Sequence, residues 1–189
     1  MSNSSLKDQA DAAWKWWRSL QPMETEDGGK LPGDRATSAR LRRCSSPLEA
    51  ATEPATAKLF KALGLAKTDH NIARTAVLAA VLAHVRDEPK PSKRIAEAIG
   101  AAAGVDANEA LVKPNRFKHL VSARGDEEIL IAFRRVVAML GRTANVKDLA
   151  RLILCWTDDE AGDRARTRFA FDYHGAGFAA PAAELTPSA

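Results

Sequence analysis

Residues 69–85 read DHNIARTAVLAAVLAHV, and this stretch decides the fold class. Ile72, Ala73, Ala76, Val77, Ala80, Leu82 and Ala83 place apolar side chains on every face of a helix, and the apolar/polar alternation of a strand is missing. A helix that is apolar all round belongs in the middle of a bundle, covered by other helices on several sides. The apolar run through Val77–Ala83 is too short to cross a bilayer, which takes about 20 residues. The expectation is therefore an all-α protein, with no membrane segment, assembled around this helix.

Working outward, the flanking segments keep the helical period. Leu6, Ala10, Ala13, Trp17 and Leu20 recur at three and four behind the capping pattern Ser5-x-x-Asp8. Trp14 and Trp17 are expected in the core, with Trp16 at its edge and free to meet a partner protein. Thr25 to Gly33 reads as a polar loop, after which Asp34 caps a helix running to Cys44. Ser46 to Glu49 combines a capping box with proline at the first helical position, and Pro54 starts the next helix, carrying Leu59, Phe60 and Leu63. Pro89 and Pro91 break the pattern before a short helix with Ile95 and Ile99.

An alanine- and glycine-rich stretch ending at Asn108 reads as a linker. It divides the chain into two helical-bundle subdomains, 1–108 and 109–175, with 176–189 as a flexible tail. In the second part, Phe117, Leu120 and Val121 belong to one helix. Ile129, Leu130, Phe133, Val136, Val137 and Leu140 form a wide apolar face that stops at Gly141, and Asn145 caps a helix with Val146, Leu149, Ile153 and Trp156. Asp163 to Tyr173 carries Phe169 and Phe171 after Arg164, Arg166 and Arg168.

The formal net charge of +4 is unevenly distributed. Residues 1–34 hold four Lys/Arg against six Asp/Glu, and residues 44–110 hold eight of each. Arg35, Arg40, Arg42 and Arg43 follow one another with no acid between them. Residues 111–155 hold nine basic residues against four acidic ones. Clustered charge of this kind makes a surface for polyphosphate. On an ideal helix Arg35 and Arg42 fall on one line and Arg40 and Arg43 on its neighbour, a two-railed cationic face suited to successive phosphates. The second stretch adds Arg116, Lys118, Arg124, Arg134, Arg135, Arg142 and Lys147 as candidate nucleic-acid-binding residues.

Catalytic constellations are not legible. His70, His84, His119 and His174 share no metal-ligand spacing with each other or with Cys44 and Cys155. Gly64-Leu65-Ala66-Lys67-Thr68 lacks the glycine that a phosphate-binding loop needs before its lysine, and no strand precedes it. No cofactor is expected. Without a secretory pattern at Met1–Ser5, the two cysteines read as reduced, partly buried thiols of a cytoplasmic protein.

Short motifs in order along the chain resemble a known family. They are Trp16-Trp17-x-x-Leu20, Gly33-Asp34-Arg35-Ala36 to Leu41-Arg42-Arg43, Arg116-Phe117-x-x-Leu120-Val121, Leu130-x-x-Phe133-Arg134-Arg135-x-Val137, Asn145-Val146-x-Asp148-Leu149-x-x-x-Ile153-x-x-Trp156 and Arg168-Phe169-Ala170-x-Asp172-Tyr173. Together they look like the CasB small subunit of Cascade, the type I-E CRISPR surveillance complex. Phe169 stands where that family usually has tryptophan, and Val121 where it often has leucine.

The resemblance implies a non-catalytic all-helical subunit present in two copies, packed between the guide-RNA backbone subunits and the large subunit. Its basic surface would bind single- and double-stranded DNA, and RNA, steadying the target and displaced strands when the R-loop opens. Two other readings stand beside it. One is a helical DNA-binding transcriptional regulator with Arg35–Arg43 as its recognition helix, and the other is a metal-dependent nuclease using Asp158, Asp159 and Asp163.

Overall fold

The computed structural model of the chain describes residues 5–24, 30–100 and 109–175. Among them are ten α-helices: α1 (Leu6–Leu20), α2 (Arg35–Arg43), α3 (Pro47–Thr52), α4 (Pro54–Leu63), α5 (Asp69–Leu82), α6 (Ile95–Ile99), α7 (Pro114–Ser122), α8 (Gly125–Met139), α9 (Val146–Trp156) and α10 (Asp159–Tyr173). The fold is all-α. One departure from the expected polar loop is a minimal antiparallel hairpin, in which β1 (Met23–Glu24) pairs with β2 (Lys30–Leu31). The linker expected up to Asn108 and the tail expected from 176 lie outside the described residues.

The helix starts follow from local chemistry. The Ser5 hydroxyl accepts the Asp8 N–H at 3.2 Å, and the Asp8 carboxylate accepts the Ser5 N–H at 3.2 Å, closing the capping box of α1. Asp34 accepts the Thr37 N–H at 2.9 Å to start α2, and Ser46 accepts the Glu49 N–H at 3.2 Å to start α3 behind Pro47. Asn145 accepts the Asp148 N–H at 3.0 Å to start α9. Gly33 is pressed against the backbone of Leu20, Gln21 and Pro22 at the end of α1, where a Cβ has no room.

α5 occupies the position its all-round apolarity demands. Every residue from Thr75 to Ala83 is buried, and α2, α3, α4, α8 and α9 pack against the helix. The most extensive helix pairing joins α1 to α9, so segments from both sides of residue 108 meet in one apolar cluster. At its C-terminal side lies an aromatic pile. Phe133 and Trp156 meet edge to face at 5.2 Å, Trp156 and Phe169 likewise at 5.2 Å, and Phe117 stacks on Tyr173. Phe169, at the motif position usually held by tryptophan, is buried in this pile.

The tryptophan assignment needs correcting. Trp16 and Trp17 are the buried pair, while Trp14 is half-buried at the edge. α1 turns Trp16 toward α4, where its indole N–H donates to the Ala55 carbonyl at 3.0 Å, and Trp17 toward the end of α5, where it donates to the Val85 carbonyl at 3.0 Å. Trp14 donates to Glu88 at 2.7 Å. Both cysteines are free thiols, Cys44 buried and Cys155 half-buried.

Candidate nucleic-acid interface

Two chain crossings bring basic residues together that lie far apart in sequence. After α5 the chain leaves the core through Val85 and Arg86, and after α8 it turns through Gly141 and Arg142. Both residues of that second turn have φ of +66°, in the left-handed region. The two segments run side by side. The Arg86 N–H donates to the Arg142 carbonyl at 2.8 Å and the Ala144 N–H to the Asp87 carbonyl at 3.1 Å. The end of α2 lies against this pair.

The result is a cluster of Arg42, Arg43, Arg86 and Arg142. Arg42 is half-buried and the other three are exposed. Burial lowers the Arg42 pKa from its ordinary value, and Arg86, Arg142 and Arg43 push it the same way by like-charge repulsion. Among the described residues no carboxylate forms an ion pair with any of the four. Repulsion among fixed cations is relieved by an anion, and forked guanidiniums suit phosphate oxygens.

His84 lies beneath the cluster. Burial first, then Arg134, Arg42 and Arg142, hold its pKa down at about 4, while a hydrogen bond to the Arg42 backbone opposes them. Its Nε2 is buried without a hydrogen-bond partner.

The other predicted residues divide by what they touch. Arg35 at the start of α2, Arg116 and Lys118 on α7 and Arg135 on α8 are exposed cations without an ion pair among the described residues. Arg40 is tied to Glu53 at 2.9 Å and to the Thr37 hydroxyl at 2.9 Å. Lys147 is tied to Asp11 at 2.7 Å and sits over the Trp14 ring. Arg124 donates to the Val121 and Ala123 carbonyls that end α7, and reaches Asp163 at 3.4 Å.

Arg134 is an internal brace. Its two terminal nitrogens donate to the Cys44 carbonyl at 2.7 Å and the Leu41 carbonyl at 3.2 Å, fastening α8 to the last turn of α2. The two rails expected on α2 therefore do not act as units, since Arg42 and Arg43, one from each, join the cluster. Glu53 claims Arg40, while Arg42 turns inward toward Arg86 and Arg142.

Arg86 escaped the sequence reading because residues 44–110 balance to zero and Asp87 and Glu88 follow it directly. In the structure neither acid forms an ion pair with Arg86. Asp87 accepts the Glu88 N–H at 2.8 Å, and Glu88 accepts from Trp14 at 2.7 Å and from the Val146 N–H at 3.1 Å. Within the acidic group near α10, Asp158 accepts the Ala161 N–H at 2.8 Å and Asp163 takes both Arg124 and Arg166 at 3.4 Å. The side chains of Asp159 and Glu160 lie outside the described residues. Among the described residues, three or more His, Cys, Asp or Glu are nowhere gathered as a metal would need, and no helix is long and apolar enough to cross a membrane.

A family model for the CRISPR-associated protein Cse2 matches residues 37–174. The chain belongs to the Cse2 family. That membership carries a role as a Cascade small subunit in CRISPR defence, in a family of structural subunits. No curated protein and no solved structure matches the chain. The matched region of this Cse2 protein contains all four residues of the arginine cluster.

Proposed function

We propose that this Cse2 protein is a non-catalytic, cytoplasmic, cofactor-free subunit of type I-E Cascade. It holds the target and displaced DNA strands by their phosphates and so stabilises the open R-loop. Its partners are the guide-RNA-bound backbone subunits, the large subunit and a second copy of itself. The observation that carries this reading is the convergence of Arg42, Arg43, Arg86 and Arg142 from three separated segments, with no ion pair to any of them among the described residues. Arg35, Arg116, Lys118 and Arg135 extend the basic area. Arg40, Arg124 and Lys147 contribute less because acidic partners already hold them, and Arg134 acts through the fold.

A surface of exposed guanidiniums suits sequence-independent strand holding, since guide pairing selects the sequence. In a regulator α2 would enter a groove as a recognition helix, but its Arg40 is held by Glu53 and Thr37 within the protein.

The test is a titration of random and defined oligonucleotides at several salt concentrations. Replacing Arg42, Arg43, Arg86 and Arg142 by glutamine should lower the salt slope for single strands by on the order of 0.7 per residue, equally for all sequences. Cascade carrying the variant should assemble on guide RNA but retain the R-loop less well. An unchanged slope removes the cluster from the interface.

A further inference from the structure

Helix α10 carries a second feature that the arginine cluster does not use. Arg164, Thr167, Arg168 and Phe171 recur at the spacing that places residues on one helix face, and with Asp163 they line an open cleft of about 460 Å³. The two aromatic neighbours of Phe171 are core residues, Phe169 at 2% exposure and Tyr173 at 1%, whereas the Phe171 ring is 54% exposed. Among the described residues the other large exposed apolar side chains, Leu6, Met23, Leu48, Leu111 and Ile131, sit on different elements. Phe171 is thus the large exposed apolar side chain of α10 among the described residues, and it has Arg164 and Arg168 beside it in the cleft.

That cleft is cationic where it meets the ring. Asp163 is the one carboxylate lining the cleft, and Arg124 and Arg166 already contact it at 3.4 Å each. Arg164 and Arg168 are exposed, and among the described residues neither has an ion pair. Asp159 and Glu160 stand at the N-terminal end of the helix. Arg168 lies one turn before Phe171.

We propose that the Arg164–Arg168–Phe171 face of α10 is a nucleotide-binding subsite for single-stranded nucleic acid. An unpaired base stacks on the Phe171 ring, and the flanking phosphates lie on the Arg164 and Arg168 guanidiniums. An exposed aromatic beside forked cations is the arrangement that holds single strands without regard to sequence, because every base offers a π face. In a duplex the bases are already stacked on one another, so the ring adds affinity for single strands only. The inference rests on the proposed function in taking nucleic acid as the ligand, but it concerns different residues and a different discrimination.

The test compares a 20-nucleotide oligothymidine strand with a 20-base-pair duplex, using full-length protein and the variants Phe171→Ala, Phe171→Trp and Arg164→Gln/Arg168→Gln. Phe171→Ala should weaken single-strand binding on the order of tenfold and leave duplex binding within twofold. Phe171→Trp should retain single-strand affinity, and the emission it adds over wild type should be quenched by the strand. Arg164→Gln/Arg168→Gln should lower the single-strand salt slope.

Equal single-strand affinity of Phe171→Ala and wild type overturns the subsite. So does a Phe171→Ala protein that binds strands normally but no longer enters Cascade, which would make the face a protein contact. Failure here is separable from failure of the main reading, since the Arg42/Arg43/Arg86/Arg142 variant keeps Phe171 and is scored by its own salt slope.

Discussion

His84 shows how one side chain reports the state of the surface above it. Arg134 from α8, Arg42 from α2 and Arg142 from the turn after α8 all face it, and burial together with their charge holds its pKa at about 4 against an ordinary value of 6.5. The folded state therefore prefers the neutral ring. Stability is fully present above pH 6.5 and is lost as pH falls from there toward about 4, because the unfolded chain takes up the proton first. Urea denaturation across pH 4–7.5 should show this loss, and His84→Gln should flatten the part of the acid limb that belongs to this residue. Phosphate on the cluster offsets the field of the arginines, so oligonucleotide binding near pH 5.5 should be accompanied by proton uptake that His84→Gln abolishes. Calorimetry in two buffers of different ionisation enthalpy measures it.

At the scale of elements, the position of α2 depends on a contact made from another helix. Arg134 on α8 supplies hydrogen bonds to the Leu41 and Cys44 carbonyls, which the last turn of α2 cannot satisfy internally. Arg134→Met keeps the aliphatic stem but leaves those carbonyls without their donor. It should cost about 1–3 kcal/mol in urea denaturation, the penalty for buried unsatisfied groups. Because Arg134 faces inward, the single-strand salt slope should fall by much less than for Arg42→Gln. Equal losses of slope would make Arg134 a direct phosphate ligand.

The helices themselves were legible in the sequence because caps and apolar spacing are local. Ser5, Asp34, Ser46 and Asn145 start the elements they were expected to start, and Gly141 follows the end of α8. Rotation of a helix about its own axis is not local. Which tryptophans α1 buries is decided by α4 and the end of α5, so Trp16 went in and Trp14 stayed at the edge. The same holds for the arginines. Their presence was plain, but Arg40 meets an acid from the start of α4 and Arg86 joins a cluster from a segment of zero net charge, contacts that only folding creates.

For the whole molecule, the packing across residue 108 bears on how the chain unfolds. α1 lies along α9, α5 is covered by α8 and α9, and the Val112 N–H donates to the Ile99 carbonyl at 3.0 Å while Arg94 pairs with Asp172 at 3.0 Å. Separating residues before 101 from those after 108 would expose the apolar faces of α1, α5, α8 and α9 together, so neither part keeps a covered core by itself. We propose the division at 108 as one of sequence organisation, and expect unfolding in a single transition. Trp14, Trp16 and Trp17 report on α1 and Trp156 on α9, so tryptophan emission samples both parts while far-UV circular dichroism samples all helices. In urea the two signals should trace one curve with a common midpoint. Two separated midpoints would establish independently unfolding subdomains, and the arginine cluster, drawn from α2, the exit of α5 and the turn after α8, would then depend on their docking.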